Sequence, residues 1–325
     1  MRKTRAYPSI GMVLCLIALL TGIHSLRAGG ITGYDIFKTT LYLQTDDSQP
    51  VSVNAPDAYF FGAQFFADIP NDITNVTFTT PDDVVYSHDE TNIFYVAYGS
   101  PYFATKEDMD AAFPDGDYLF EINGGEDSGT VTFPTNEFYS PDVPYFTGST
   151  WDTLQTLDPN APFTLTWNTF TPSEVAQGLI FLRIFDENAN SFVYSSDALS
   201  PDTITTNFVG GTLKYATPYH VDLIFSTRIT ITGAGFSGLA ESTAGFDVLT
   251  SVEFTTPAPV LSITKTGDCV RLNWPLAASD YSLESTHDLT GTNWCIVTNV
   301  PVTVDDQLVV NKPLCGRNTF FRLSR

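Results

Sequence analysis

Phe163-Thr-Leu-Thr-Trp167 is the stretch from which the fold is read. A two-residue period puts Phe163, Leu165 and Trp167 on one face of an extended chain and Thr164 and Thr166 on the other. That is the signature of an antiparallel strand buried on one side. Working outward, the same grammar recurs at residues 76–80, 93–98, 118–122, 130–133, 179–185, 219–225 and 248–254, each a short β-branched or aromatic run broken by turn formers. With 22 Gly, 20 Pro, 25 Phe and 15 Tyr, the composition suits many short strands better than long helices. The expected fold is all-β: tandem antiparallel β-sandwich modules with one or two short helices. The first helix is signalled by the capping box Thr105-Lys-Glu-Asp108, with Met109, Ala112 and Phe113 as its apolar face ahead of Pro114. A second short helical turn is expected from Ser149, using Trp151 and Leu154.

The 325 residues are 43% hydrophobic and 16% charged, apolar enough for a sizeable core and too apolar for a disordered chain. Residues 1–28 read as a secretory signal peptide: Arg2, Lys3 and Arg5, then the apolar run 10–20, then Ala28 as a small residue before cleavage. The run falls short of the ~20 residues that cross a bilayer, and bulky Leu14 before Cys15 disfavours a lipid anchor. No transmembrane anchor is expected in the mature chain. The expected location is extracellular or at the cell surface, with the periplasm as the alternative.

Acids outnumber bases 37 to 15, and loss of the leader's four bases takes the net charge from −22 to −26. Such a balance argues against binding nucleic acid or an anionic membrane face. Residues 29–256 hold 31 acids and five bases (Lys38, Lys106, Arg183, Lys214, Arg228), whereas residues 257–325 hold six of each. This break, with Pro-rich joints at 139–144 and 255–259, divides the mature chain into an acidic module at 29–143, a second at 144–257 and a small neutral one at 258–325.

The middle module resembles a fibronectin type III or immunoglobulin-like sandwich. Leu165-Thr-Trp167 stands like the Trp-bearing second strand of such domains, and Leu213-Lys-Tyr-Ala-Thr-Pro-Tyr219 is similar to the stretch leading into their sixth strand. The resemblance implies that the Tyr219 hydroxyl bonds back to the backbone at a sheet corner. It implies a scaffold rather than a chemistry. The tail resembles a small β-sandwich domain that ends many exported proteins of environmental Gram-negative bacteria. Val270-Arg-Leu-Asn-Trp-Pro275, Tyr281-Ser-Leu-Glu284, Trp294 and the closing Phe320-Phe-Arg-Leu323 carry that likeness.

Few motifs point to chemistry. Gly233-Ala-Gly-Phe-Ser-Gly238 matches GxGxxG, but residues 239–245 make a poor helix, so a loop is expected rather than a nucleotide site. His88, His220 and His287 have no spacing that would gather them on one metal, and alternation points His220 to solvent. Asp186-Glu-Asn188-Ala-Asn190 imitates the start of a calcium loop; it competes with a plain hairpin turn, and calcium is the one cofactor candidate. Asp108 to Asp117 is a weaker cation candidate. After loss of Cys15, the exported chain keeps Cys269, Cys295 and Cys315, of which Cys295 and Cys315 are the favoured disulfide pair. Trp151, Tyr59 and Phe61, with Phe65-Phe66 nearby, are candidates for stacking on sugar rings, while Trp167, Trp274 and Trp294 are assigned to cores. The function expected is a non-catalytic structural or adhesive role, with polysaccharide or other cell-surface proteins as partners. A carbohydrate-binding protein is the alternative, and a carboxylate-dependent hydrolase comes third.

Overall fold

The structure, a computed structural model, describes residues 31–47, 52–53, 56–67, 75–88, 90–91, 95–122, 127–135, 139–173, 176–231, 241–291, 293–314 and 318–325. The expected signal peptide, the 233–238 glycine motif and Cys315 lie outside the described residues. The described chain is all-β apart from two short helices and a 3-10 turn. In order, the elements before residue 150 are β1 (Ile31–Leu43), β2 (Ser52–Val53), β3 (Tyr59–Ala67), β4 (Val76–Thr79), β5 (Val85–Ser87), β6 (Glu90–Thr91), β7 (Tyr95–Gly99), α1 (Lys106–Ala112), β8 (Gly116–Ile122) and β9 (Asp127–Phe133). There follow α2 (Thr150–Gln155), β10 (Phe163–Thr166), β11 (Gln177–Asp186), β12 (Ser191–Ser195), β13 (Thr205–Phe208), β14 (Pro218–Ile231) and β15 (Glu241–Thr255). The tail holds β16 (Ser262–Thr266), β17 (Cys269–Pro275), β18 (Ser282–Thr286), β19 (Cys295–Ile296), β20 (Val302–Val304), β21 (Gln307–Pro313) and β22 (Phe320–Ser324).

The largest sheet has nine strands in the order β12-β11-β14-β15-β1-β3-β7-β6, with β2 also on β1. At its centre β1 pairs in parallel with β15 from Gly33↔Glu241 to Leu43↔Ser251, and on its other side it pairs antiparallel with β3. Strands from before and after residue 143 therefore share one sheet. This changes the expected three-module partition. Among the described residues, one compact unit comprises those up to Gly148 with Thr166–Ile204 and His220–Glu253; the other comprises those of Ser149–Leu165, Thr205–Tyr219 and Phe254–Arg325. Backbone hydrogen bonding along the β1–β15 ladder overrides the composition break on which the boundary at 143 rests.

In the first unit a four-stranded sheet, β5-β4-β8-β9, faces the large sheet across an aromatic core. Tyr34 and Ile36 of β1, Phe61 and Ala63 of β3 and Phe246 of β15 meet Phe78, Tyr118, Phe120 and Phe133 of the smaller sheet. Met109 and Phe113, from α1 and its C-cap, enter the same core. The helix starts as its sequence predicts: Asp108 N–H donates to Thr105 Oγ1 at 3.1 Å.

In the second unit the sheets β16-β17-β21-β20 and β19-β18-β22 enclose Leu272, Trp274, Leu283, Val297 and Val310, with Tyr215 in the same core. β10 and β13 form a separate two-stranded sheet. The alternation in β10 is as read: Phe163, Leu165 and the adjoining Trp167 are buried and Thr164 is exposed. The Trp167 indole N–H donates to the Thr203 carbonyl at 2.8 Å, which satisfies the one polar atom that ring would otherwise bury.

Candidate functional site

Of the aromatic candidates, Phe61 is withdrawn. It is wholly buried on β3 and stacks on Phe113 with centroids 4.2 Å apart and planes within 2°, so neither ring face can meet a sugar. Tyr59, at the start of the same strand, is half-buried and packs on the same core. Trp151 on α2 is half-buried and belongs to the other unit. The side chains of Phe65 and Phe66 lie outside the described residues. Trp274 is in a core as expected, but Trp294 is only half-buried. The Arg322 guanidinium covers its ring at 4.3 Å and is held there by Glu284 at 2.7 Å.

The calcium candidate is a hairpin turn. Asp186 is buried at the end of β11, and its Oδ1 accepts the backbone N–H groups of Asn188 and Ala189, each at 2.9 Å. Asn190 supplies the left-handed residue (φ 52°) before β12. These bonds use the Asp186 carboxylate oxygen to shape the turn, and no cluster of three His, Cys, Asp or Glu that could hold a metal occurs among the described residues. Acids of the 108–117 stretch are likewise engaged: the Asp108 carboxylate accepts the hydroxyl of Thr105, the N-cap of α1, and Asp110 and Asp115 hold a lysine. Cys269 and exposed Cys295 are free thiols; Cys315, the other half of the expected pair, is outside the described residues.

The described polar clusters of consequence were not visible in the sequence. The first spans four strands. Arg228 of β14 is 1% exposed and meets both carboxylate oxygens of Asp247, at 3.1 and 3.2 Å, and Asp35 Oδ1 at 3.6 Å. Asp35 also accepts from Thr243 Oγ1 (2.6 Å) and from Gln64 Nε2 (3.1 Å), its register partners on β15 and β3. Burial drives the Asp35 carboxyl above its ordinary range, and Arg228 and the two hydrogen bonds only partly offset it. The guanidinium lies 5.3 Å over Phe37 and fills the space above Gly245, where a Cβ would stand 1.7 Å from its Nη1.

The second cluster corrects the outward placing of His220. Its side chain is 15% exposed and stacks on Phe185 at 4.9 Å, because β14 is covered on both faces. Nδ1 donates to Glu187 at 2.7 Å and Nε2 faces Asp222 at 3.5 Å, while Ser251 donates its hydroxyl to the other Asp222 oxygen. Burial alone would lower the imidazole's pKa, but the charge and hydrogen bonds of Asp222 and Glu187 raise it to about 10. Serine, acid and base are thus all present in the wrong order for nucleophilic catalysis: the carboxylate, not the imidazole, sits beside the serine, and the imidazole keeps its proton.

The third cluster is Lys38 on β1, with Nζ at 2.8 Å from Asp110 and 3.0 Å from Asp115 and 4.9 Å from the Phe133 ring centre. His88 is different again. Its Nδ1 lies 3.3 Å from the Val76 carbonyl and its Nε2 3.2 Å from the Tyr34 hydroxyl, among Phe78 and Phe120, and burial lowers its pKa to about 3.

No family model matches the chain, and no curated protein matches it. Solved β-rich structures do. The FN1–FN3 domains of chicken CNTN1 align at 10% identity over 81% of this chain and 87% of theirs, with a TM-score of 0.22. Native alpha-2-macroglobulin of Escherichia coli aligns at 10% identity over 90% of this chain, TM-score 0.24, and its trypsin-activated form at 10% over 87%, TM-score 0.18. This chain spans only 21% and 29% of those two macroglobulin chains. Scores this low carry no argument about function, and the all-β class stands on the strands themselves.

Proposed function

We propose that the chain is an exported bacterial β-sandwich protein with a non-catalytic structural or adhesive role at the cell surface or beyond it. The supporting observation is the use to which buried ionisable groups are put. Arg228 and Lys38 each sit between two carboxylates contributed by other elements or connections, and His220 sits between Glu187 of the β11–β12 turn and Asp222 of its own strand, so each ties segments together. A cation paired in this way holds its neighbours in place, since removing one partner leaves a buried charge uncompensated. Fractionating the producing cells tests the reading. The protein is expected in the medium or on the protease-accessible surface, with attachment weakened in a strain lacking it; a cytoplasmic pool, or turnover of a glycan by the pure protein, overturns it.

A carbohydrate-binding role is the second reading, favoured by the partly open Trp151. Glycan-array binding lost in Trp151→Ala, with the circular dichroism spectrum unchanged, selects it over the first.

A further inference from the structure

Lys38 is the most unusual side chain of the first sandwich. It extends from β1 on the same face as Tyr34 and Ile36, both members of the aromatic core, and its side chain is 1% exposed. An ammonium buried this deeply is costly unless its surroundings are built for it. They are built from two carboxylates with unequal roles. Asp110, on α1, is also bridged by Lys106 one turn before it. Burial pushes the Asp110 carboxyl up, but the hydrogen bonds and charges of Lys106 and Lys38 outweigh it and hold the group below the usual carboxylate value. Asp115 stands in the corner Pro114-Asp115-Gly116, which is fixed on both sides. Tyr118 donates its hydroxyl to the Pro114 carbonyl at 2.7 Å, and Gly116 has φ 132°, with its Cβ position 3.0 Å from the Pro81 ring. An amine is therefore held against a rigidly placed carboxyl group, with a second carboxylate on the same nitrogen.

We infer that Lys38 and Asp115 are the sites of a self-catalysed side-chain amide bond, with Asp110 relaying the protons. The ammonium is buried, although the Asp115 carboxylate is 28% exposed, and moving one proton from Lys38 to Asp115 replaces two charges by two neutral groups. The amine lone pair then attacks the Asp115 Cγ. Asp110 takes the proton released from nitrogen and returns it to the departing hydroxyl, which leaves as water. The ammonium and carboxylate become one amide and one water, with no oxidant, reductant or co-reactant. Groups pre-positioned within one fold react at effective molarities of up to roughly 10⁵–10⁸ M. The bond would join positions 77 residues apart, tying β1 to the corner before β8.

Mass spectrometry of the denatured full chain decides the matter independently of where the protein resides or what it binds. The expected result is a mass lower by one water than the sequence of the processed chain, with trypsin failing to cut after Lys38 and a branched peptide joining Lys38 to Asp115. Lys38→Arg and Asp115→Ala are expected to restore the full mass. Asp110→Ala, folded by circular dichroism, is expected to keep the full mass as well. A folded wild-type chain of full mass that trypsin cleaves after Lys38 overturns the inference, as does a branch at Asp110. Water loss persisting in Asp110→Ala overturns the relay.

Discussion

Arg228 and Gly245 form one unit at the scale of single residues, because the guanidinium occupies the volume that a side chain at 245 would need. Gly245→Ala must push the arginine off Asp247 and Asp35, and Arg228→Met leaves those two acids buried without their cation. Each is expected to cost about 3–5 kcal/mol in urea denaturation, the usual cost of breaking a buried charge pair. Tyr219→Phe removes the acceptor of the Lys214 N–H, a 2.9 Å bond at the corner before β14, and is expected to cost about 1 kcal/mol. The two buried histidines act on opposite limbs of the pH profile. His220, raised to about 10, contributes stability that is full below pH ~6.5 and is lost as pH climbs through 10. His88, lowered to about 3, contributes stability that is full above pH ~6.5 and is lost as pH falls toward 3. Denaturant midpoints across pH should therefore peak near neutrality, with His220→Gln flattening the alkaline limb and His88→Gln the acid limb. None of this residue-level pairing could be read from the sequence. Asp35 and Thr243 are 208 positions apart, and only the β1–β15 register joins them.

The strands divide by whether one face or both are covered. Where one face is covered, alternation reads correctly: β8 runs Tyr118, Phe120 and Ile122 inward, with Leu119 outward. β11 and β14 are buried almost continuously, so the period that marks a face disappears and polar residues such as Asp222 and Arg228 look like solvent positions. Residues 239–245 read only as a poor helix, and nothing in Glu-Ser-Thr-Ala-Gly marks a strand. Residues 241–245 begin β15 through their pairing with β1, and Gly245 leaves the space that the buried guanidinium fills. The Tyr59–Phe61 aromatics likewise belong to a core strand, since a run of rings reads the same whether it faces a ligand or another sheet. At the β11–β12 turn the carboxylate of Asp186 caps backbone amides. Asp186→Ala is expected to lower stability by about 1 kcal/mol, and a chelator is expected to leave the melting temperature of the wild type unchanged.

Among the described residues the surface keeps the acidic balance of the sequence, because the buried bases are matched by buried Asp35, Asp186, Asp222 and Asp247. Of the five bases between 29 and 256, Lys38, Arg183 and Arg228 are buried and Lys106 is bridged to Asp110, leaving Lys214 exposed. Self-repulsion of the acids is then poorly screened at low ionic strength, where the Debye length is about 30 Å at 0.01 M against about 8 Å at 0.15 M. The melting temperature is expected to rise over that salt range, and a flat profile would show the charge to be locally compensated. The all-β class was legible from composition and strand grammar. The partition was not, because pairing between distant strands leaves no local mark.

The parallel partnership of β1 with β15 also has a consequence for biosynthesis. A ribosome emits residue 31 long before residue 241, so the earliest strand must wait with one edge open until two hundred more residues have emerged. Delayed closure of this kind makes a fragment cut at 143 prone to clump through that bare edge.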